Sequence, residues 1–385
     1  MTELSTHQHG GLNRGRHVSI VGGGIGGLTC ALAFARSGAR VDVHEQAPEI
    51  GEVGAGIQIT PNGARVFEAL GLDGAAVEAA SIKSKAVLPM DGLTGRQITR
   101  FDLTSLDGPA YRFYHRASLI GLLLDACRDA GVVIHLGSKI TVDEVDGDLV
   151  VGAEGIHSQT RALLNGLQEP FFTGQVAWRA MVDAPDADAV ARIWMAPNRH
   201  VVTYPLKGGL LNIVAVLERQ QWAPEGWAHP DDAGNLRHVF RDGAPELKGI
   251  LSKVDEVHLW GLFRHPVAEQ WHNDTVAILG DAAHPTLPFL AQGANMAIED
   301  AFVLSRCCDE AADIASALAT YQADRKPRVS RAIDAANANA RNYHLSGIRR
   351  GLSHTALKII GKTAPNAFLN RMDWLYGCDV TTDRR

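Results

Sequence analysis

Between residues 17 and 45 the chain alternates strand, glycine-rich turn, helix and strand, an arrangement with very few structural solutions. His17-Val-Ser-Ile-Val21 is a β-branched run that reads as a buried strand, and it stops at Gly22-Gly-Gly-Ile-Gly-Gly27. Leu28 to Ser37 carry apolar residues at helical spacing and Gly38 ends that helix as a C-cap. A second strand, Arg40-Val-Asp-Val-His44, finishes at Glu45. Gly22, Gly24 and Gly27 satisfy G-x-G-x-x-G in register with these elements. Gly22 permits the tight turn, Gly24 lets backbone approach a pyrophosphate, and Gly27 lets the helix sit close to the strand. The helix N-terminus offers unpaired N–H groups to phosphates. Glu45, eighteen residues beyond Gly27, is placed to accept hydrogen bonds from a ribose diol. The turn alone does not separate NAD from FAD.

At 385 residues the chain is long for one core, so two domains are expected. Its net charge of -6 gives no reason to expect nucleic acid or an anionic membrane as partner. The five cysteines form no CxxC pair and no disulfide framework, which fits a reducing cytoplasm. Met1 to Arg16 read as a frayed polar tail without an apolar signal region, and no apolar run approaches the ~18 residues that span a bilayer. The expected assembly is a monomer or homodimer.

A second segment decides between the nucleotides. Thr275-Val-Ala-Ile-Leu279 reads as a buried strand followed by Gly280-Asp281-Ala-Ala-His284-Pro285, then Gln292-Gly293-Ala294-Asn295 and a helical run from Met296 to Cys307. A strand ending in Gly-Asp presents a carboxylate at the sheet edge where ligands of open α/β sheets bind, and the next helix again points its N-terminus there. With both motifs in place the chain resembles the group A FAD-dependent aromatic hydroxylases, such as salicylate hydroxylase, 3-hydroxybenzoate 6-hydroxylase and 6-hydroxynicotinate 3-monooxygenase. The resemblance runs from about His17 to about Tyr376.

It implies FAD, held non-covalently, with Asp281 binding the ribityl chain, and NADH or NADPH as co-substrate. It also assigns a third motif, Val150-Val-Gly-Ala-Glu154-Gly155-Ile-His-Ser158, to FAD and NAD(P)H handling; here Glu154 replaces the usual aspartate. Gly54-Ala-Gly-Ile-Gln58 with Pro61-Asn62 is similar to the family segment that passes the isoalloxazine ring, so Gln58 is a cofactor candidate. Arg116 matches an arginine that reaches the cofactor between pyrophosphate and ring, and Gly293, Ala294 and Asn295 open the flavin-facing helix. There is no second G-x-G-x-x-G, which agrees with transient NAD(P)H binding.

Six of the seven tryptophans lie between Phe171 and Trp271, where strand-like alternation appears in Gln175–Val182 and Arg199–Tyr204. This region predicts an antiparallel substrate sheet over the flavin. The fold class is therefore α/β: a Rossmann-like FAD-binding domain, discontinuous over 17–84, 111–165 and 274–345, a substrate domain over 85–110 and 166–273, and C-terminal helices over 346–385. His200 and Tyr204, four apart on a strand, point to one face. The resemblance puts a His-x-x-x-Tyr in the substrate pocket, with His200 as base and Tyr204 orienting the ring. His284 shapes its loop, and Pro288-Phe289 makes the pocket wall apolar.

The implied reaction is hydroxylation of a small phenolic or hydroxy-heteroaromatic carboxylate by O2 through a flavin C4a-hydroperoxide, which needs an electron-rich ring and a histidine near neutral pKa. Alternatives left open are a flavoprotein oxidising a non-aromatic or larger substrate, and a non-catalytic FAD-binding redox sensor.

Overall fold

The computed structural model describes residues 11–49, 55–219, 221, 229–364 and 366–382; most of the polar tail and Gly54 lie outside them. Five parallel strands form the first sheet, in the order Val276–Ile278, Leu149–Gly152, His17–Val21, Arg40–Glu45, Val133–Leu136. Its central strands are near-continuous apolar runs, as expected of a parallel sheet covered on both faces. The first helix, Ile25–Arg36, packs against Arg116–Asp129 and Gly293–Glu310. The two nucleotide motifs, some 250 residues apart in sequence, thereby share one end of the sheet.

A second sheet of eight strands runs in the order Pro230–Asp231, Val257–Arg264, Phe171–Asp183, Leu210–Glu218, Arg199–Leu206, Val190–Ala196, Ala86–Asp91, Phe101–Asp102. It is antiparallel except that Ala86–Asp91 joins Val190–Ala196 in parallel. That strand arrives from the nucleotide layer, so it is not constrained by a hairpin to run against its neighbour. Alternation along these strands divides the sheet's side chains between two cores. Trp178, Trp194, Val201 and Ile213 face the helices Ala233–Val239 and Pro245–Leu251. Tyr204, Leu206, Val216 and Trp260 join the core of the nucleotide layer. Burying each such side chain contributes about 1.5–3 kcal/mol, so the second face is held firmly against the first layer.

A small antiparallel sheet, Gly56–Ile59, Arg112–His115 and Ser81–Lys83, bridges the layers. Ile314–Tyr343 is one 30-residue helix with Pro327 inside it. Its buried stripe of Ala317, Leu318, Tyr321, Arg325 and Val329 offsets the hydrogen bond that the proline removes. Gly347–Thr363 and two shorter helices follow. Among the described residues no helix is long and apolar enough to cross a membrane.

Candidate active site

The glycine-rich turn is dictated by contact distances. Gly22 sits at φ +110°, and a Cβ there would lie 2.4 Å from the Ala153 carbonyl oxygen. A Cβ on Gly27 would lie 2.0 Å from the Gly22 carbonyl oxygen, so helix and turn meet backbone to backbone. Gly24 behaves differently: a Cβ there would meet nothing within 4 Å. This open side is where a ligand can approach the chain. Glu45 is tied in beside it, accepting hydrogen bonds from Gly23 N (2.7 Å) and Ala47 N (2.9 Å). Each carboxylate oxygen keeps a lone pair for a sugar hydroxyl.

At the neighbouring strand end, Asp281 is half-buried yet accepts no hydrogen bond from any described residue. Burial raises its carboxyl above the usual range, against the opposing charges of His284, Arg116 and His265. Arg116 opens its helix and donates its backbone N–H to Ala55 O at 2.9 Å. A Cβ on Gly293 would stand 3.9 Å from Asp281 Oδ1, so the start of the Gly293–Glu310 helix lies beside the carboxylate. The N–H groups of Gly293, Ala294 and Asn295 have no acceptor within that helix.

Three sequence candidates have their side chains engaged elsewhere. Asn295 is fully buried, accepting from Thr60 N (2.9 Å) and donating to Gln58 O (3.0 Å) and Ala291 O (2.7 Å). It clamps the helix start to the Gly56–Ile59 strand. The Gln58 carboxamide oxygen accepts from the Tyr111 hydroxyl (2.5 Å). Glu154, read from the sequence as a cofactor contact, accepts from the Ser158 hydroxyl (2.6 Å) and from Thr160 N (3.0 Å) and Oγ1 (2.6 Å). Its extra methylene lets the carboxylate turn back over the start of the Gln159–Asn165 helix.

Beneath these motifs, His284 is completely buried and bonds Asp300 Oδ2 through Nε2 at 2.5 Å. Asp300 also accepts from Gly280 N (3.1 Å) and Arg325 Nε (2.7 Å). Arg325 and Arg328 both bind Glu299, which further accepts from Asn62. Burial alone would raise the Asp300 carboxyl, but His284 and Arg325 hold it at about 2. This buried network fixes the Gly-Asp turn to the helix that follows.

Across from the motifs lies the inner face of the eight-stranded sheet. His200 and Tyr204 are 1% and 3% exposed and occupy its two ends, about 13 Å apart along the strand. Between them Val202, Val214 and Arg179 form one half-buried cross-strand row. The Arg179 guanidinium stands 4.9 Å over the Trp260 ring. Tyr204 packs its ring 5.0 Å from Phe113, and a Cβ on Gly56 would lie 2.8 Å from its hydroxyl. Gly56 N also donates to Asn212 Oδ1 at 2.7 Å. Burial pushes the Tyr204 phenol up, against Arg179 and Gln58, so it remains a hydrogen-bond donor.

The expectation of a His200 pKa near neutral is corrected. Burial, then His344, lowers it well below the ordinary histidine value, so the ring is neutral, with an unprotonated nitrogen, at physiological pH. The Phe289 (5.8 Å) and Tyr343 (5.1 Å) rings pack beside it. Its Nδ1 bonds His344 Nε2 at 2.7 Å. Sequence reasoning missed Arg179 and His344. A cationic residue at an inward-facing strand position was a readable signal for Arg179; nothing local marks His344.

Comparison with known proteins agrees with this geometry. The FAD binding domain family matches residues 136–336, and the NAD(P)-binding Rossmann-like domain family matches residues 20–70. A 3-amino-4-hydroxybenzoate 2-monooxygenase of Streptomyces platensis is 34% identical over 96% of this chain and 97% of its own. The chain belongs to the FAD-dependent aromatic hydroxylases. A 3-hydroxybenzoate 6-hydroxylase of Polaromonas naphthalenivorans is likewise 34% identical, over 94% of this chain and 96% of its own. Klebsiella pneumoniae HpxO, solved with FAD and uric acid, superposes with a TM-score of 0.80 at 26% identity, covering 93% of this chain and 95% of its own. For a flavin hydroxylase the fit is good: the Asp281 carboxylate and the helix-start N–H groups, which have no hydrogen-bond partner among the described residues, and the open Gly24 match an FAD.

Proposed function

We propose that this enzyme hydroxylates a small aromatic acid carrying a ring hydroxyl, a hydroxybenzoate, aminohydroxybenzoate or hydroxynicotinate, using NAD(P)H and O2. The observation that carries this reading is the half-buried row Val202–Val214–Arg179 between a neutral histidine and a protonated tyrosine. Two valines suit an aromatic face, Arg179 supplies positive potential for a carboxylate, and His200 Nε2 takes the proton of the ring hydroxyl. Tyr204 orients the ring from the other end. Phe289 and Tyr343 exclude water from His200. When bound, FAD takes reducing equivalents from NAD(P)H and supplies the oxygen chemistry. The segments 17–84, 111–165 and 274–345 hold it, with its pyrophosphate at Gly22, Gly24 and Gly27, a ribose at Glu45 and the ribityl chain at Asp281. The five free cysteines, four of them buried, support a reducing cytoplasm as the setting.

The test is a panel of salicylate, hydroxybenzoates, aminohydroxybenzoates and hydroxynicotinates, read by NADH loss and product mass. At least one acid is expected to stimulate NADH consumption and yield a product heavier by one oxygen. Consumption that ends only in hydrogen peroxide for every acid sinks the substrate class. Separately, Asp281→Ala is expected to lose most of its flavin on purification; full FAD occupancy in that variant would remove Asp281 from the cofactor site.

A further inference from the structure

His200 is one end of a three-residue chain. Its Nδ1 bonds His344 Nε2 at 2.7 Å, and His344 Nδ1 bonds Glu218 Oε1 at 2.8 Å. Burial changes along it: His200 is 1% exposed, the His344 side chain 2%, and the Glu218 side chain 44%. The chain therefore begins against the flavin-facing pocket and ends in water. Its geometry is held from outside the side chains as well. Asn198 N donates to His344 O (3.2 Å) and Glu218 N donates to Asn198 O (2.8 Å), so the helix end, the hairpin turn and the strand end are joined by backbone.

The direction of the hydrogen bonds follows from the terminal group. A carboxylate only accepts, so His344 Nδ1 carries the proton facing Glu218. Neutral His344 then has a lone pair on Nε2, which requires the proton of His200 to sit on Nδ1. That leaves a lone pair on His200 Nε2, a nitrogen with no hydrogen-bond partner among the described residues and the one available to a substrate. One exposed carboxylate thus selects the tautomer of a histidine two hydrogen bonds away.

We propose that Glu218 and His344 form with His200 a proton wire, which sets His200 as a base and carries the ring-hydroxyl proton from the pocket to solvent. The step balances. The substrate O–H bond breaks and its proton bonds His200 Nε2; the Nδ1 proton of His200 passes to His344 Nε2; the Nδ1 proton of His344 passes to Glu218 and on to water. No electrons move between groups, and the substrate keeps the electron pair as a phenolate. The titratable groups around His200 are His344 and Tyr343 on the C-terminal side; the strand partners Met195 and Val216 and the loop residue Phe289 do not titrate. Burial pushes Tyr343 up to about 12, so it stays neutral and takes no part. Because burial lowers both histidines, the wire holds at most one extra proton at a time, as a conduit rather than a store.

This inference rests on His200 being the base, and the tests separate the two. Nitrogen-15 NMR of the histidine rings, in the FAD-loaded enzyme without substrate, should show His200 protonated on Nδ1 alone; Glu218→Gln, whose amide can donate as well as accept, should show mixed tautomers. A wild-type His200 protonated on Nε2 overturns the proposal whatever the activity. In turnover with whichever panel acid gives product, Glu218→Gln and His344→Ala should keep FAD and substrate KM. They should lose roughly tenfold in hydroxylation kcat, less than loss of the base itself. Imidazole should restore His344→Ala, a rescue that a purely structural role does not allow. If both variants match wild type from pH 6 to 9 while His200→Ala fails, the wire is wrong and the base stands. If His200→Ala also hydroxylates normally, both fall.

Discussion

His200→Ala is expected to lose product formation by ~10²-fold or more while keeping its FAD, the usual contribution of a positioned general base. The side chain touches none of the nucleotide motifs; its neighbours are His344, Tyr343 and Phe289. NAD(P)H oxidation should continue, with the lost turnover reappearing as hydrogen peroxide because the ring it meets is less electron-rich. The pH dependence has a definite sign. Burial and His344 hold the His200 pKa well below 6.5, so in wild type the ring is already in its basic form across pH 6 to 9 and gives no rise in hydroxylation over that range. In the variant, hydroxylation should climb with pH as the substrate ionises unaided in solution. The measurement is product formed per NAD(P)H consumed, in both proteins across that range. An unchanged ratio at every pH removes His200 from the mechanism.

Arg325→Met should produce the largest loss of stability. Arg325 is 2% exposed and lies between Glu299 (2.6 Å) and Asp300 (2.7 Å), both fully buried. Removing the cation leaves His284 on Asp300 and Arg328 on Glu299, an undercompensated cluster whose cost is about 3–5 kcal/mol for a broken buried pair. In wild type the Asp300 carboxyl, at about 2, is below its unfolded value, so its contribution is complete above that unfolded value and is lost only as pH falls toward 2. In the variant, burial should raise the carboxylates above their unfolded values, and stability should then fall as pH rises. Urea unfolding at pH 5 and 7 checks this: the gap between the proteins should widen at the higher pH. Equal stabilities at pH 7 would show the network to be dispensable. Because Asp300 also holds Gly280 N, weaker FAD binding should accompany the loss.

Much of the nucleotide half was legible because its determinants are local. Helical period over Leu28–Ser37, β-branched runs at His17–Val21 and Arg40–Glu45, and the three motif glycines all act within a few residues of themselves. The Arg199–Leu206 strand was legible for the same reason, since alternation puts His200 and Tyr204 on one side whatever they meet there. Spacing alone does not show that the Glu154 carboxylate also caps its own helix, because one methylene decides whether it reaches back to Ser158 and Thr160. The intraprotein bonds of Gln58 and Asn295 were not legible for a related reason: an amide in a cofactor segment looks the same whether or not it also meets a neighbouring strand.

The sequence by itself determined the α/β class, the dinucleotide turn, the Gly-Asp segment and the family, since backbone sterics and periodicity need no distant partner. Only the tertiary structure decided the chemical state of the site. His200 and His344 are 144 residues apart, and His344 and Glu218 are 126 apart. The protonation and tautomer of a histidine depend on burial and on what lies within about 3 Å, and those are set by how the sheet face and the end of the long helix pack.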